Sequence, residues 1–522
     1  MNGAQALLGT LVASDVTVCF ANPGTSEMHF VAALDQVPAM RGVLTLFEGV
    51  ATGAADGYAR VAGKPAAALL HLGPGLSNGL ANLHNARRGH TPVVNLVGDH
   101  ATYHKRYDAP LESDVAALAG TVSRWLRTSA GAAQVAADAA EAVAAAAGPP
   151  AGVATLILPA DVSWSEAPGG PARPHPPAAV PLAPAEAVEA AAKALGSGER
   201  AAVLLGGTAL RERGLRAAAA AAQATAATLL AETFPPNLAR GAGVPAVERL
   251  AYLAEMATAQ LDGIKHLVIA GARPPVSFFA YPGLTSDLVP DDCTVHVLAD
   301  LTEDVPAALE ALANAVGAGP GAGAGPGAGA AVAPAGRPDR PTGALDAETL
   351  AAAVGSLLPE GAVVVDEGNT SGLFVAGATV GCPPHDWLTL TGGAIGQGLP
   401  LATGAAVAAP DRKVLCLEAD GSAMYTLQSL WTQAREGLDV TTVVLSNRSY
   451  AILNLELSRV GAGAGGPQAR RMLDLSGPGL DFVSLASGMG VPAARATTAD
   501  ELVTHLERSL AEPGPALVEA VL

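Results

Sequence analysis

Glu418-Ala-Asp-Gly-Ser422 and, downstream, Leu445-Ser-Asn-Arg-Ser-Tyr450 decide how this chain is read. Each follows a short apolar run, Val414-Leu-Cys-Leu417 and Thr442-Val-Val-Leu445, the pattern of buried parallel strands. Asp420 and Asn447 are 447 − 420 = 27 positions apart. That spacing sets them at the carboxyl ends of two strands, where open α/β sheets bind ligands. A carboxylate, a carboxamide oxygen and one backbone carbonyl, assigned to Ser449, suit a small hard cation. Mg²⁺ prefers to share its shell with phosphate oxygens, and Gly421 and Ser422 open the next helix, whose free N–H groups suit a diphosphate. Read alone, the same residues also describe a strand-turn-helix with an Asp cap and an unrelated Asn.

Composition narrows the function classes. The 522 residues are 50% hydrophobic but only 4% aromatic, so the core must be built from Ala and branched aliphatics. A net charge of −18 argues against nucleic acid and against an anionic membrane as partners. The start, Met1-Asn-Gly-Ala-Gln5, carries no basic segment and no cleavable apolar core. Cys19, Cys293, Cys382 and Cys416 show neither metal nor redox spacing. Together these predict a cytoplasmic protein with buried thiols.

Three blocks alternate short apolar strands with Ala-rich helices, which predicts an α/β fold of three doubly wound, mainly parallel sheets. The first spans 1–165 and ends at a Pro-rich stretch. The second spans 185–315. A Gly/Ala/Pro-rich linker at 316–342 is expected to be flexible and exposed, and the third block spans 343–522. In the first, Gly42-Val-Leu-Thr-Leu-Phe-Glu48 ends on a carboxylate before the small-residue helix Gly49–Arg60. Small residues allow close helix packing, expected here against a second copy in a dimer. Glu48 alone also suits a helix N-terminus, and His71, ending Ala66-Ala-Ala-Leu-Leu-His71, also suits a core histidine.

The ordered set Asn22-Pro-Gly24, Glu48, Gly73-Pro-Gly75, Gly392-Gly393 and Asp420…Asn447 resembles the thiamine diphosphate (ThDP) enzymes, specifically the acetolactate synthase large subunit and benzoylformate decarboxylase group. The resemblance covers nearly the whole chain and implies pyrimidine-binding, middle and diphosphate-binding domains in that order. It implies that Asp420, Asn447 and Ser449 hold Mg²⁺ and that Asn369, Thr370, Gly421, Ser422 and Tyr450 meet the diphosphate. It further implies that Gly393 accepts the pyrimidine amino group, and that Ile395, stiff at its branched Cβ, is the wedge bending the cofactor. Glu48 would contact the aminopyrimidine and favour its imino tautomer. His71 stands where benzoylformate decarboxylases carry a catalytic histidine. Thr25, His100, Phe278, Leu453 and Glu456 are the candidate substrate-pocket residues.

Departures from the family pattern are specific. Ala419 replaces a Gly, and Ser446 replaces the first of two Asn. Pro110-Leu111 stands where acetolactate synthases carry Phe-Gln, Leu453 where pyruvate decarboxylases carry a Glu, and Phe278 where benzoylformate decarboxylase has a second His. The middle block has no Gly-x-Gly-x-x-Gly fingerprint, so it reads as a structural spacer more readily than as a seat for FAD. The implied function is a ThDP- and Mg²⁺-dependent 2-oxo acid decarboxylase or carboligase, with carbon dioxide lost and the remaining carbon protonated or captured by a second carbonyl compound. A benzoylformate-type non-oxidative decarboxylase and a catalytically silent ThDP-binding partner subunit are the alternatives. A homodimer or dimer of dimers with shared active sites is implied.

Overall fold

The computed structural model describes residues 1–318, 332–463 and 465–522. The middle of the expected linker, 319–331, therefore lies outside the described residues. The first sheet contains β1 (Val18–Ala21), β2 (Arg41–Leu44), β3 (Ala66–His71), β4 (Val93–Asp99), β5 (Trp125–Thr128) and β6 (Val153–Pro159), in the order β2-β1-β3-β4-β6-β5. Every pairing in it is parallel. Strands β4 and β6 are buried along their whole length, as their mainly apolar sequences require, and the one polar side chain in Val93–Val97, Asn95, donates to Thr155 Oγ1 at 3.0 Å. Strand order reverses between β1 and β3, so β1 and β3 deliver their carboxyl ends beside one crevice.

The middle block contributes β7 (Ala201–Leu205) and β8 (Thr228–Ala231), then β9 (Leu238–Arg240), β10 (Glu248–Arg249), β11 (His266–Ala270) and β12 (Thr294–Ala299). Its own five-stranded sheet runs β10-β8-β7-β11-β12. Strand β9 leaves it. It pairs antiparallel with β14 (His385–Thr389) and so closes an edge of the third sheet, a standard way to hide unpaired backbone groups. The third sheet is completed by β13 (Val363–Glu367), β15 (Val414–Ala419), β16 (Val440–Ser446), β17 (Ala493–Ala496) and β18 (Ala516–Val521), in the order β17-β18-β16-β15-β13-β14-β9. Apart from β9 it is parallel. The tips of β13, β15 and β16 are thus neighbours. No described helix is long and apolar enough to cross a membrane, and the four cysteines are free, three of them buried.

The small-residue helix, Glu48–Ala62, is spent inside the chain. It lies against the helix Gly398–Ala408 so closely that a Cβ at Gly57 would sit 2.0 Å from the Leu401 carbonyl oxygen, and one at Gly404 would sit 1.9 Å from that of Ala54. This corrects the expectation of a second copy as its partner, because backbone touches backbone with no room left between. The same helix carries a buried ion pair. Asp56 accepts two hydrogen bonds from Arg60, both 2.7 Å, and both side chains are sealed from solvent. The guanidinium also donates to the Thr389 carbonyl at 2.8 Å, to Thr391 Oγ1 at 2.8 Å and to the Pro236 carbonyl at 3.3 Å. Gln397 Nε2 donates to Asp56 at 2.6 Å.

Truncating one member of such a pair leaves a buried unpaired charge, which costs about 3 to 5 kcal/mol. Arg60→Ala is expected to lower the calorimetric melting midpoint by several degrees. The double variant Asp56→Leu/Arg60→Met, which strips both charges, is expected to recover most of that loss.

Candidate active site

Two clusters form at the carboxyl ends of the first and third sheets. In the first, Glu48 opens its helix after a turn in which Leu46 adopts φ 58°. The residue is 7% exposed, and its carboxylate accepts from Asn78 Nδ2 at 3.0 Å and Asn22 Nδ2 at 3.3 Å. His71 closes β3 and is followed by Leu72 at φ 48°. Gly75 lies beneath both side chains: a Cβ there would meet His71 Cβ at 3.2 Å and Glu48 Oε1 at 3.3 Å. Glu48 and His71 therefore share one wall.

His71 is not a plain core histidine. Its Nδ1 lies 2.8 Å from Glu27 Oε2 and 3.1 Å from Ser26 Oγ. The hydrogen bond to Glu27 raises its pKa, burial opposes this, and the charges of Glu27 and Glu48 add to the rise. Glu27 is itself buried, accepts from the Gly24 N–H at 2.7 Å and bonds Ser26 Oγ. Its carboxylate occupies the space that a side chain at Gly98 would fill, 1.7 Å from the position of such a Cβ. Glu27 was missed by sequence reasoning. The only local signal was a carboxylate three residues beyond the Asn22-Pro-Gly24 turn.

The third-sheet cluster brings the two halves of the opening motif together. Asp420 Oδ2 accepts the Arg448 N–H at 2.6 Å and Oδ1 accepts the Gly421 N–H at 2.8 Å. Asn447 Oδ1 accepts the Ser449 N–H at 2.9 Å while its Nδ2 donates to Ser371 Oγ at 3.0 Å. Asn369 Nδ2 donates to Ser422 Oγ at 3.1 Å. Burial raises the pKa of Asp420, and the N–H groups of Arg448 and Gly421 oppose the shift. The Tyr450 ring lies against Gly421, its Cε1 2.4 Å from where a Cβ would be. The helix expected after Gly421 is only the turn Asp420–Ala423. Asn369 and Arg448 adopt φ 46° and 56°, so four of the eight described non-glycine residues with positive φ border the two clusters.

The donors fit a diphosphate with one hard cation: one carboxylate, one carboxamide and a backbone carbonyl at Ser449, with a cradle at Gly421 that only glycine allows. Among the described residues no group of three or more His, Cys, Asp or Glu side chains is placed to hold a metal. Thr370 and Gly393 are exposed and Ile395 half-buried on the turn 391–397, and Gly393 needs its φ of 74°. Thr25 is exposed on the 3₁₀ turn Thr25–Glu27. His100 packs against His104 with tilted rings 5.3 Å apart, its Nε2 buried without a partner among the described residues.

Phe278 packs into an aromatic group with Phe234 at 5.3 Å and Tyr252 at 4.9 Å, and is 44% exposed. Leu453 is equally exposed on the helix Ala451–Arg459. Glu456 accepts from Tyr281 Oη at 2.7 Å, and Arg459 lies over the Tyr281 ring at 4.3 Å. The loop holding Phe278 is thereby tied to the helix holding Leu453. The side-chain hydrogen-bond partners of Glu48 and His71 among the described residues all come from the first block, on the turns and the helix that follow its strands.

Comparison with known proteins decides what these clusters belong to. Residues 1–118 match the thiamine pyrophosphate enzyme N-terminal TPP binding domain, and residues 370–520 match the corresponding C-terminal TPP binding domain. Over 523 residues the chain is 63% identical to the Mycobacterium tuberculosis protein named "Putative acetolactate synthase large subunit IlvX", covering 100% of this chain and 99% of that one. The chain belongs to the thiamine pyrophosphate enzyme family. It is also 30% identical to the benzoylformate decarboxylase of Pseudomonas aeruginosa, over 97% of this chain and 96% of the relative. The solved Rhodococcus jostii RHA1 thiamine diphosphate-dependent 4-hydroxybenzoylformate decarboxylase superposes with a TM-score of 0.86 at 25% identity, covering 100% and 99% of the two chains. This family member is therefore a ThDP-dependent enzyme of the acetolactate synthase and benzoylformate decarboxylase type.

The Glu27–His71 contact gives a pH signature. A histidine whose folded pKa is raised above its ordinary value of 6.5 contributes stability in full below that value, and loses it as pH rises through the folded pKa. Glu27→Gln is therefore expected to cost more in melting midpoint at about pH 6 than at about pH 9. The His71 ring titration, followed by NMR, is expected to move down in the variant.

Proposed function

We propose that the protein is a ThDP- and Mg²⁺-dependent 2-oxo acid decarboxylase or carboligase, acetolactate synthase large subunit-like. The observation that supports this most is the Arg448 N–H on Asp420 at 2.6 Å, which folds the spaced halves of the opening motif into one site. When bound, ThDP supplies the carbon nucleophile and the electron sink for loss of carbon dioxide. Asp420, Asn447 and the Ser449 carbonyl would hold Mg²⁺. Asn369, Thr370, Gly421, Ser422 and Tyr450 would hold the diphosphate, and Gly393 and Ile395 the pyrimidine end. Glu48 would bond the pyrimidine nitrogen. His71, with Nδ1 engaged by Glu27, would have Nε2 left to exchange a proton with the reacting carbonyl group.

In this reading residues 1–165 form the pyrimidine-binding domain, 185–315 the middle domain and 343–522 the diphosphate-binding domain. The middle domain is a spacer without FAD. Its tip N–H groups are already used: Gly206 donates to the Ala270 carbonyl at 2.9 Å, Gly271 to that of Ala299 at 2.9 Å, and Gly207 to Glu232 at 3.1 Å. A homodimer or dimer of dimers with shared sites is part of this reading. A benzoylformate-type non-oxidative decarboxylase is the second reading, favoured by the Glu27-held His71, a proton donor for the final carbon. A silent partner subunit fits less well, since Glu48 and Asp420 are both in place.

The test is carbon dioxide release from pyruvate, 2-oxobutyrate, branched-chain and aryl 2-oxo acids with ThDP and Mg²⁺. Glu48→Gln is expected to lower release roughly 100- to 10,000-fold, and EDTA or Asp420→Ala to abolish it. Silence across the panel with ThDP bound would move the reading to a partner subunit. Light scattering with parallel assays is expected to find activity only in dimers or larger species; a fully active monomer would overturn the shared site.

A further inference from the structure

Two buried carboxyls at the floor of the third-sheet cluster have no part in the chemistry above. Glu367 ends β13 and Glu418 lies beside it in β15, in register, both buried. Glu367 Oε1 accepts the Gly396 N–H at 2.7 Å and Oε2 accepts that of Gly398. Burial pushes its pKa up to about 7 against the pull of those N–H groups and of Ser422. Gly398 is the point where both acids meet. A Cβ there would lie 2.1 Å from Glu418 Oε2 and 3.0 Å from Glu367 Cβ.

The opposite side of this turn is held too. The Gln397 side chain reaches Asp56 at 2.6 Å, the Gly396 carbonyl accepts from Thr426 Oγ1 at 3.0 Å, and Asn85 bonds Ala394 through its carbonyl at 2.8 Å and its N–H at 3.2 Å. Among the described residues, only the Glu367 side chain takes backbone N–H groups on both sides of Gln397. Positive φ at Gly393 and Gly396, 74° and 90°, shows why it is needed: a turn with two glycines in this region is unconstrained by its own side chains and must be fixed from outside.

We propose that Glu367 is a positioning residue that sets the turn 393–398, and with it Ile395 and Gly393, in the cofactor-ready conformation before ThDP arrives. The proposal rests on the ThDP reading of those two residues. Glu367 touches no reacting atom. It fixes the turn from the tip of the strand that also carries Asn369 and Thr370, so the pyrimidine-facing turn and the diphosphate-facing tip are held in one frame.

The experiment compares wild type with Glu367→Gln, which keeps the volume but offers an amide NH₂ where a backbone N–H must be accepted. Two quantities are read: the dissociation constant of ThDP, by titration calorimetry with Mg²⁺, and amide hydrogen exchange of peptides spanning 391–400 in the cofactor-free protein. In the variant, ThDP binding is expected to weaken at least about tenfold, the scale of lost hydrogen bonds to a charged group. Exchange is expected to quicken in 391–400 but not in 440–446. Affinity within about twofold of wild type with unchanged exchange would overturn the proposal. Should the variant not fold, cofactor-free wild type decides it: slow exchange at Gly396 and Gly398 upholds a preset turn, and exchange at the rate of an open loop refutes it. Wild type that binds no ThDP defeats the cofactor reading, while the exchange comparison still settles the role of Glu367.

Discussion

The buried Asp56–Arg60 pair is the constraint on which the relative placement of the three blocks depends. A guanidinium can donate five hydrogen bonds in one plane, and here its donations reach all three. Asp56 belongs to the first block, the Pro236 carbonyl to the middle one, and the Thr389 carbonyl and Thr391 hydroxyl to the third. The Arg60 carbonyl in turn accepts from Arg211 at 2.7 Å and from Asn237 at 3.3 Å. Buried charge is a poor source of net stability, so its value here is geometric. An apolar contact tolerates sliding; a fork of directed bonds to three blocks does not.

From that fixed point the site inherits its precision. Thr391 and Gln397, which answer Arg60 and Asp56, bracket the turn that carries Gly393 and Ile395. Leu46, Leu72, Asn369 and Arg448 adopt left-handed backbone beside Glu48, His71, Ser422 and Asp420 respectively. Conformations of this kind cost about 1 to 3 kcal/mol each and persist only where the surroundings over-determine them. The close glycine packing of Glu48–Ala62 on Gly398–Ala408 and the buried pair provide that over-determination. Four such positions thus lie just beyond strand ends, two on each sheet, beside the two clusters.

The sequence disclosed the parts whose signal is local. The apolar runs before Asp420 and Asn447 place both at adjacent tips because strand, turn and spacing are written within about thirty residues. Glu48 was legible for the same reason, as a carboxylate between an apolar run and a small-residue helix. What stayed hidden depends on contacts distant in sequence. Nothing near Glu27 announces His71, 44 positions on, and nothing near Glu367 announces Gly396 and Gly398. The small-residue helix advertised close packing without naming its partner, which is in the same chain and not in a second copy. Strand β9 was invisible because three residues carry no periodicity, and its allegiance to the third sheet is set by an edge that needed covering.

Strand β9 also changes what the middle block is for. A spacer would need only to bridge two sheets, yet this one closes the edge of the third sheet through β9. It also reaches over that sheet's carboxyl end, where Tyr281 bonds Glu456 and Arg459 pairs with Glu255 at 2.8 Å. Burial and the Glu456 hydrogen bond push the Tyr281 hydroxyl up to about 12, so it remains a donor throughout the physiological range. The helix bearing Leu453 has no buried residue of its own and would be poorly held by apolar packing. Its position is fixed instead by polar bonds from the middle block, with Phe278 carried on the same loop. The roof over the third-sheet cluster is thus built by two blocks, and its shape follows the middle block's geometry even though that block contributes none of the proposed cofactor-holding residues.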